Sequence, residues 1–512
     1  MSSPHRPAWF SATTPAREDC VLKYMLDSRA ARFPERRFAR FEDGTQWTYA
    51  SCRDEVRRLA QGLQASGVRK GDRVFVWLPS GRPIVLAWFA INYLGAIYVP
   101  LNTAYKGKVL EHVINAAGGS VMLAHPSLTE RLQGLQTPKL QQVFTHIDAL
   151  LGDESSLDDS SPIEHWDIQC IHYTSGTTGP SKGVLSPYLQ GYTTAVVNYG
   201  YLQDGECILI NLPMFHVGAL TPALGNIFVG TTHVLMRAFD PVKVWEIIDS
   251  ERINNGLFVP AMLNFMRMVY DPSKYKHEHL RWLMAGAAPV PVSLIMAYAE
   301  IGIEVNQVYG LTETCGPACL TSKEDAISKA GSTGKAFFLS EVKVVRPDGT
   351  ECDDDEAGEV LISGGHMMLG YWNRPEATAD ALKDGWLYSG DGAIRDKDGF
   401  IFIQDRIKDM IISGGENVYP AEIENVIMGL AGIGEVAIIG IPSEKWGESP
   451  LAIVVRKDEA VTEAAVLEHC ADKLARFKQP VAVRFIDVIP RNPSGKALKK
   501  DLRIQFKDVV GP

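Results

Sequence analysis

The stretch Tyr173–Val184, YTSGTTGPSKGV, packs five Ser and Thr hydroxyls, three glycines and one lysine into twelve residues. A loop that closes on a polyphosphate needs this composition. Glycines let backbone N–H groups approach the anion, hydroxyls add donors, and a lysine adds a mobile charge. Gly176, Gly179 and Gly183 supply the approach, Thr174, Ser175, Thr177, Thr178 and Ser181 the donors, and Lys182 the cation. The stretch is not the P-loop G-x-x-x-x-G-K-[ST]. Counted from Gly176, its last three positions read Ser181-Lys182-Gly183, so the glycine before the lysine and the metal-binding hydroxyl after it are both missing.

The chain around this stretch has 512 residues, too long for one compact core, and length alone predicts roughly two to four domains. With 46% hydrophobic and 22% charged residues the composition is that of an ordinary globular enzyme. A net charge of −10 argues against nucleic acid or an anionic membrane surface as partner. The eight cysteines are scattered, with no C-x-x-C pair, which fits a reducing compartment. The apolar run Ile84–Ala96 is interrupted by Asn92 and Gly95 and is too short for a membrane span. MSSPHRPAWF lacks the apolar core of a signal peptide, and KDVVGP carries no organelle address. A cytoplasmic protein without a membrane span is expected.

The first third alternates helix and strand. Thr48–Ser66 predicts an amphipathic helix stopped by Gly67. RVFVWL (Arg73–Leu78), a helix over Ile84–Leu94, AIYVPL, a helix over Lys108–Ala117 and SVMLAH follow. The pattern resumes after residue 205 and predicts an α/β fold, with parallel and mixed sheets crossed by helices. From about residue 340 the strands shorten. EVKVVRPDGT, GEVLISGG and GFIFIQDR, with Asp348-Gly349 and Asp398-Gly399 turns, predict antiparallel hairpins and a small β-barrel-like part. After Arg406 a helix starting at Pro420, strands EVAIIGI, PLAIVV and VAVRFI, and a helix over Thr462–Leu474 predict a small α+β domain. The expected division is 1–405 and 406–512.

Five further motifs follow in order: AGAAP (Ala285–Pro289), QVYGLTE (Gln307–Glu313), YSGD (Tyr388–Asp391), DRIKDMIISGGENVYPAEIE (Asp405–Glu424) and PRNPSGK (Pro490–Lys496). Together with YTSGTTGPSKG they resemble the signature motifs of the adenylate-forming superfamily, which holds acyl-CoA synthetases, non-ribosomal adenylation domains and luciferases. The resemblance spans nearly the whole chain. It implies an acid–thiol ligase, an AMP-forming acyl-CoA synthetase. A carboxylate attacks the α-phosphate of ATP to give acyl-AMP and pyrophosphate, and the thiol of coenzyme A then displaces AMP. Both reactants are anions, so the site has to neutralise charge as it builds in the transition state.

By the resemblance, Thr174, Ser175, Gly176, Thr177, Thr178, Gly179 and Lys182 hold the β- and γ-phosphates. Glu313 is the Mg²⁺ ligand, and Thr312 touches the phosphates. Ala287, Ala288 and Tyr309 form the adenine slot. Asp391 and Arg406 take the ribose hydroxyls, a carboxylate being suited to accept two hydrogen bonds from a diol. Lys496, a point charge on a flexible stem, reaches the acid carboxylate and the α-phosphate together. Acetylation of Lys496 by a lysine acetyltransferase would remove that charge. The small mobile domain turns about a hinge at Lys408, bringing Gly414 and Gly415 beside the pantetheine. Trp446 and Lys478 are candidate contacts to CoA.

Amino-acid-activating adenylation domains carry, at the position after the aromatic in NLPMFHVGAL, an aspartate that grips the substrate amine. This chain has His216 there, which points to a plain carboxylic acid. His216, Val217, Gly218, Thr221, Val259, Gly310, Leu311 and Cys315 are expected to shape the acid pocket, compatible with a short or medium aliphatic acid or a compact aromatic one. Cys315 and Cys319, with no further ligands, read as pocket wall or packing rather than a metal site. LNTAYKGKVLEHV resembles fatty-acid- and carnitine-type CoA ligases. Two other readings stay open: an adenylation enzyme that loads a separate carrier protein, and a nucleotide-binding protein without turnover. A luciferase-like oxygenase is more remote, and a homodimer is compatible with the sequence.

Overall fold

The computed structural model describes residues 15–174, 180–199, 202–413, 416–471, 473–491 and 497–511. Local chemistry explains its early elements. Thr48 and Ser51 form a reciprocal capping box at the start of the helix Tyr49–Ala65, whose buried face carries Cys52, Val56, Leu59 and Leu63. The strands Arg73–Trp77, Ile97–Pro100 and Val121–Ala124 pair in parallel and are buried almost throughout, as a sheet covered on both faces requires. The helices Arg82–Tyr93 and Gly107–Ala117 make the crossovers.

These strands belong to a six-stranded sheet that closes on an antiparallel pair, Ile168–Thr174 and Lys182–Pro187. Thr174 and Lys182, which flank the core of the Gly/Ser/Thr stretch, therefore pair with each other at the edge of this sheet. A nine-stranded sheet lies beside it. Its centre, Cys207–Ile210, Asn255–Phe258, Trp282–Ala285 and the start of Val305–Leu311, is parallel, and Gly316–Leu320 returns antiparallel. The Asp-Gly segments do end in turns: Ser340–Val345, Ala357–Gly364, Trp386–Arg395 and Ile401–Arg406 form an antiparallel sheet curled into a half-barrel.

Sheet membership changes over a few residues. Arg406 still pairs with Asp391 in the half-barrel, whereas Ile411–Ser413 pairs with the C-terminal sheet. That last sheet is built on the long hairpin Ile433–Ser443 and Gly447–Arg456 and carries the helices Pro420–Met428, Glu463–Ala471 and Lys499–Gln505. The fold is mixed α/β, with a large N-terminal part, a half-barrel and a small C-terminal domain. Among the described residues no helix is long and apolar enough to cross a membrane.

Candidate active site

One cleft of about 1570 Å³ collects residues from all four sheets. At one end, the edge hairpin sets Thr174 opposite Lys182, with Thr174 Oγ1 3.5 Å from the Lys182 carbonyl oxygen. Lys182 lies over the face of Tyr371, 4.8 Å from the ring centroid, and Tyr371 OH donates to Glu313 Oε1 at 2.8 Å. Thr312 and Glu313 sit on a single 3₁₀ turn, Thr312–Thr314, at the end of the strand Val305–Leu311. Thr314 Oγ1 accepts from Leu311 N and donates to Gly316 O. Cys315 then adopts φ 52°, so the chain reverses and leaves Glu313 on the cleft wall.

The next stretch of wall is built for a flat ring and a diol. Ala287 and Ala288 line it, and Ala287 has φ 67°. A Cβ on Gly286 would stand 2.5 Å from Val308 Cγ1, so glycine is what lets two strand ends close together there. Tyr309 OH donates to Asp391 Oδ2 at 2.7 Å, and Arg406 Nε meets Asp391 Oδ1 at 2.6 Å. Burial and the adjoining Asp391 carboxylate push the Tyr309 phenol well above its ordinary range, so it stays a donor. Asp391 and Arg406 are paired directly across the half-barrel, which sets this geometry through backbone register.

The far end is apolar and carries two neutral imidazoles. His216 precedes the helix Val217–Val229, and Val217, Gly218 and Thr221 follow it along the wall. Burial lowers the His216 pKa to about 4. Its buried Nε2 has no hydrogen-bond partner among the described residues. His172 is lowered to about 3 by burial and by His216 beside it, and it sits 3.2 Å from Cys170 Sγ through Nδ1. Val259, Gly310 and Leu311 line the same cleft. A Cβ on Gly310 would stand 1.8 Å from Gly316 O, so no side chain fits at that strand crossing.

Beyond His216 the cleft follows one face of the nine-stranded sheet. Ile208, Asn255 and Trp282 lie side by side in register, and Leu257 and Met284 form the next row. Leu202 closes over Ile208 and Trp282, and Asn255 Nδ2 donates to Glu206, itself paired with Arg281. An apolar channel with a polar floor results.

Some expected site residues lie elsewhere. Cys315 is buried but does not line the cleft; its thiol is hydrogen-bonded to Thr194, and burial raises its pKa to about 12. Its neighbour Thr221 donates to the Cys315 carbonyl at 2.8 Å, which turns the backbone, not the thiol, toward the pocket side. Trp446 is 44% exposed at the tip of the C-terminal hairpin. Lys478 is bound to the Glu422 carboxylate at 2.7 Å. Neither lines the cleft. Ser175, Gly176, Thr177, Thr178, Gly179, Gly414, Gly415 and Lys496, and the side chain of Lys408, lie outside the described residues. Ala497, next to Lys496, does line the cleft.

Three residues of the site were not singled out from sequence. His172 shares a strand face with Cys170 and Thr174, so strand alternation ahead of the signature stretch could have found it. Tyr371 and Lys499 have no local signal. Lys499 Nζ meets Asp405 Oδ2 at 2.7 Å and Glu424 Oε1 at 2.9 Å, and the two carboxylates raise its pKa above the usual lysine range despite burial. Arg503 adds a 2.9 Å contact to Asp409. These pairs tie the last helix to the segment where sheet membership changes.

Comparison with known proteins places this arrangement. Residues 26–372 match the AMP-binding enzyme family and residues 422–496 the AMP-binding enzyme C-terminal domain. The chain is 40% identical to the long-chain-fatty-acid–CoA ligase FadD13 of Mycobacterium tuberculosis, over 96% of this chain and 99% of that one. It is 36% identical to the feruloyl-CoA synthase of an Amycolatopsis species, over 93% and 98%. Its fold superposes with a TM-score of 0.86 on the O-succinylbenzoate coenzyme A synthetase of Bacillus subtilis in complex with ATP and magnesium ion, at 31% identity and covering 94% and 99% of the two chains. The chain therefore belongs to the AMP-binding enzyme family of ATP-dependent acid–thiol ligases, which join a carboxylic acid to coenzyme A through an acyl-AMP.

Proposed function

We propose that this chain activates an apolar, chain-like carboxylic acid, with its tail in the channel toward Trp282 and its carboxylate at His216. The observation that carries this reading is the buried Nε2 of a neutral His216, without a hydrogen-bond partner among the described residues, where the apolar channel meets the charged half of the cleft. A neutral imidazole donates to a carboxylate without adding a full charge to a buried site. Four strand residues from Asn255 to Phe258 span about 13 Å, which gives the tail more room than a short acid needs. This extends the expectation of a short or medium acid toward longer ones.

In this reading Lys182 and Thr174 hold the triphosphate, with Ser175–Gly179 completing the loop. Tyr309, Ala287 and Ala288 receive the adenine, and Asp391, already oriented by Arg406 and Tyr309, accepts from the ribose. Glu313 is the cation ligand. No cluster of three or more His, Cys, Asp and Glu side chains capable of holding a metal exists among the described residues. A lone carboxylate fits Mg²⁺, which is commonly held by one or two carboxylates together with nucleotide phosphates. When bound, Mg²⁺ neutralises charge on the phosphates. Lys496, carried beside Ala497, bridges the carboxylate and α-phosphate during adenylation.

Thiol attack then calls for rotation of a 406–512 domain about Lys408. Gly414, Gly415, Trp446 and Lys478 would face CoA in that second arrangement. Ser413 pairs with Gly447, so Ser413 and Trp446 flank one edge of the C-terminal sheet, and Trp446 does not line the adenylation cleft. Acetylation of Lys496 would halt the first step. The test is pyrophosphate release from ATP and Mg²⁺ with a chain-length series of acids, with and without CoA. Release that rises with chain length, with CoA consumed, supports the reading. Release that ignores CoA would mean a carrier protein is the acceptor.

A further inference from the structure

Tyr371 stands outside every motif that points to ATP, yet it touches both charged groups at the phosphate end of the cleft. Its ring face lies 4.8 Å from Lys182 Nζ, and its hydroxyl donates to Glu313 Oε1 at 2.8 Å. Its own position is set by backbone. Leu369 N donates to Leu185 O, Leu185 N to Gly370 O, and Trp372 N to Gly183 O, at 3.1, 2.9 and 2.7 Å, so residues 369–372 run as an extra edge beside the hairpin of the signature stretch. Tyr371 N donates to Thr378 Oγ1 at 2.9 Å. Gly370, with φ 140°, allows this approach, because a Cβ there would stand 2.7 Å from Thr378 Cγ2. The same segment grips Glu313 from behind: Met368 N donates to the Glu313 carbonyl at 2.7 Å. One short segment therefore fixes the main chain and one carboxylate oxygen of Glu313, and offers an aromatic face to Lys182.

We propose that Tyr371 is a positioning residue for the metal–nucleotide complex: its hydroxyl holds Glu313 Oε1 so that the other oxygen faces the cation, and its ring seats the Lys182 ammonium between turnovers. A hydroxyl that orients a ligating carboxylate acts on the cation's affinity more than on the fold, and loss of such outer partners typically weakens metal binding or activity about 10–100-fold. The ring contact is a cation–π interaction that Lys182 gives up when phosphate oxygens arrive. The proposal rests on the assignments of Glu313 to the cation and Lys182 to the phosphates.

The experiment is calorimetric titration of the full chain with ATP, once in Mg²⁺ and once in EDTA, for the wild type, Tyr371→Phe and Glu313→Gln. Tyr371→Phe keeps the ring and loses only the hydroxyl. The expected result is an ATP Kd raised about 10-fold in Mg²⁺ and unchanged in EDTA. Equal weakening in both conditions would make Tyr371 a purely structural residue and overturn the proposal, and so would wild-type affinity in both. If Glu313→Gln keeps the full Mg²⁺-dependent gain in affinity, the assignment of Glu313 fails and the proposal falls with it, whatever Tyr371→Phe does.

Discussion

At the Lys182 end of the cleft charged groups come already matched: Tyr371 with Glu313, Arg406 with Asp391, Lys499 with Asp405 and Glu424. At the Trp282 end the wall is apolar and its imidazoles are neutral, and His216 Nε2 has no hydrogen-bond partner among the described residues. In the proposed function the two ends face opposite problems. Polyphosphate brings charge that preset dipoles and cations must meet without reorganising. An apolar acid brings one charged group that has to be met where the channel begins, while the rest of the molecule only needs dry surface.

The comparison breaks most visibly at Lys499. Lys499→Met leaves Asp405 and Glu424 facing each other unneutralised, and loss of one partner of a buried ion pair costs about 3–5 kcal/mol. Denaturant unfolding should show a loss of that order, and a midpoint shift indistinguishable from zero would mean the pair is dispensable. Lys496→Ala should reduce acid-dependent pyrophosphate release about 10²–10³-fold, the usual effect of removing one charge-stabilising group. ATP binding without acid should survive, and its loss would move Lys496 from chemistry to nucleotide binding.

At the apolar end the effects are smaller. Met284→Trp narrows the channel one row above its floor and should shift preference toward shorter acids by about 1–3 kcal/mol in relative kcat/KM. An unchanged chain-length profile would place the tail elsewhere. The last effect is on pH. His172 and His216 have pKa values depressed to about 3 and about 4, against 6.5 in the unfolded chain. Below pH 6.5 the unfolded chain binds more protons than the folded one, so stability falls as pH drops from 6.5 toward 4. A thermal melting series across that range should show the decline, and His172→Phe should flatten part of it.

Much of the charged end was legible because motif spacing and strand register coincide. Asp391 and Arg406 lie fifteen positions apart in sequence yet directly opposite across a hairpin turned by Asp398-Gly399. Alternation likewise read the parallel strands, and the change of texture near Arg406 falls where strands leave one sheet for another. Tyr371 was not legible, because its place comes from a pairing between residues 183–185 and 369–372 that no local pattern encodes. Lys499 was hidden in a basic tail, where sequence alone favours solvation over burial. Cys315 was misplaced for a subtler reason. It sits beside pocket residues in sequence, but its left-handed backbone directs the thiol to Thr194.

That left-handed backbone recurs at Ala287, just past the strand Trp282–Ala285 on the cleft wall. A non-glycine residue in this region costs about 1–2 kcal/mol, a load the surrounding packing has to carry. Ala287→Gly would relieve it and leave the loop looser. Heat resistance and turnover would then pull in opposite directions at this position, so a variant library screened only for melting temperature should enrich glycine there and drift away from fast catalysis.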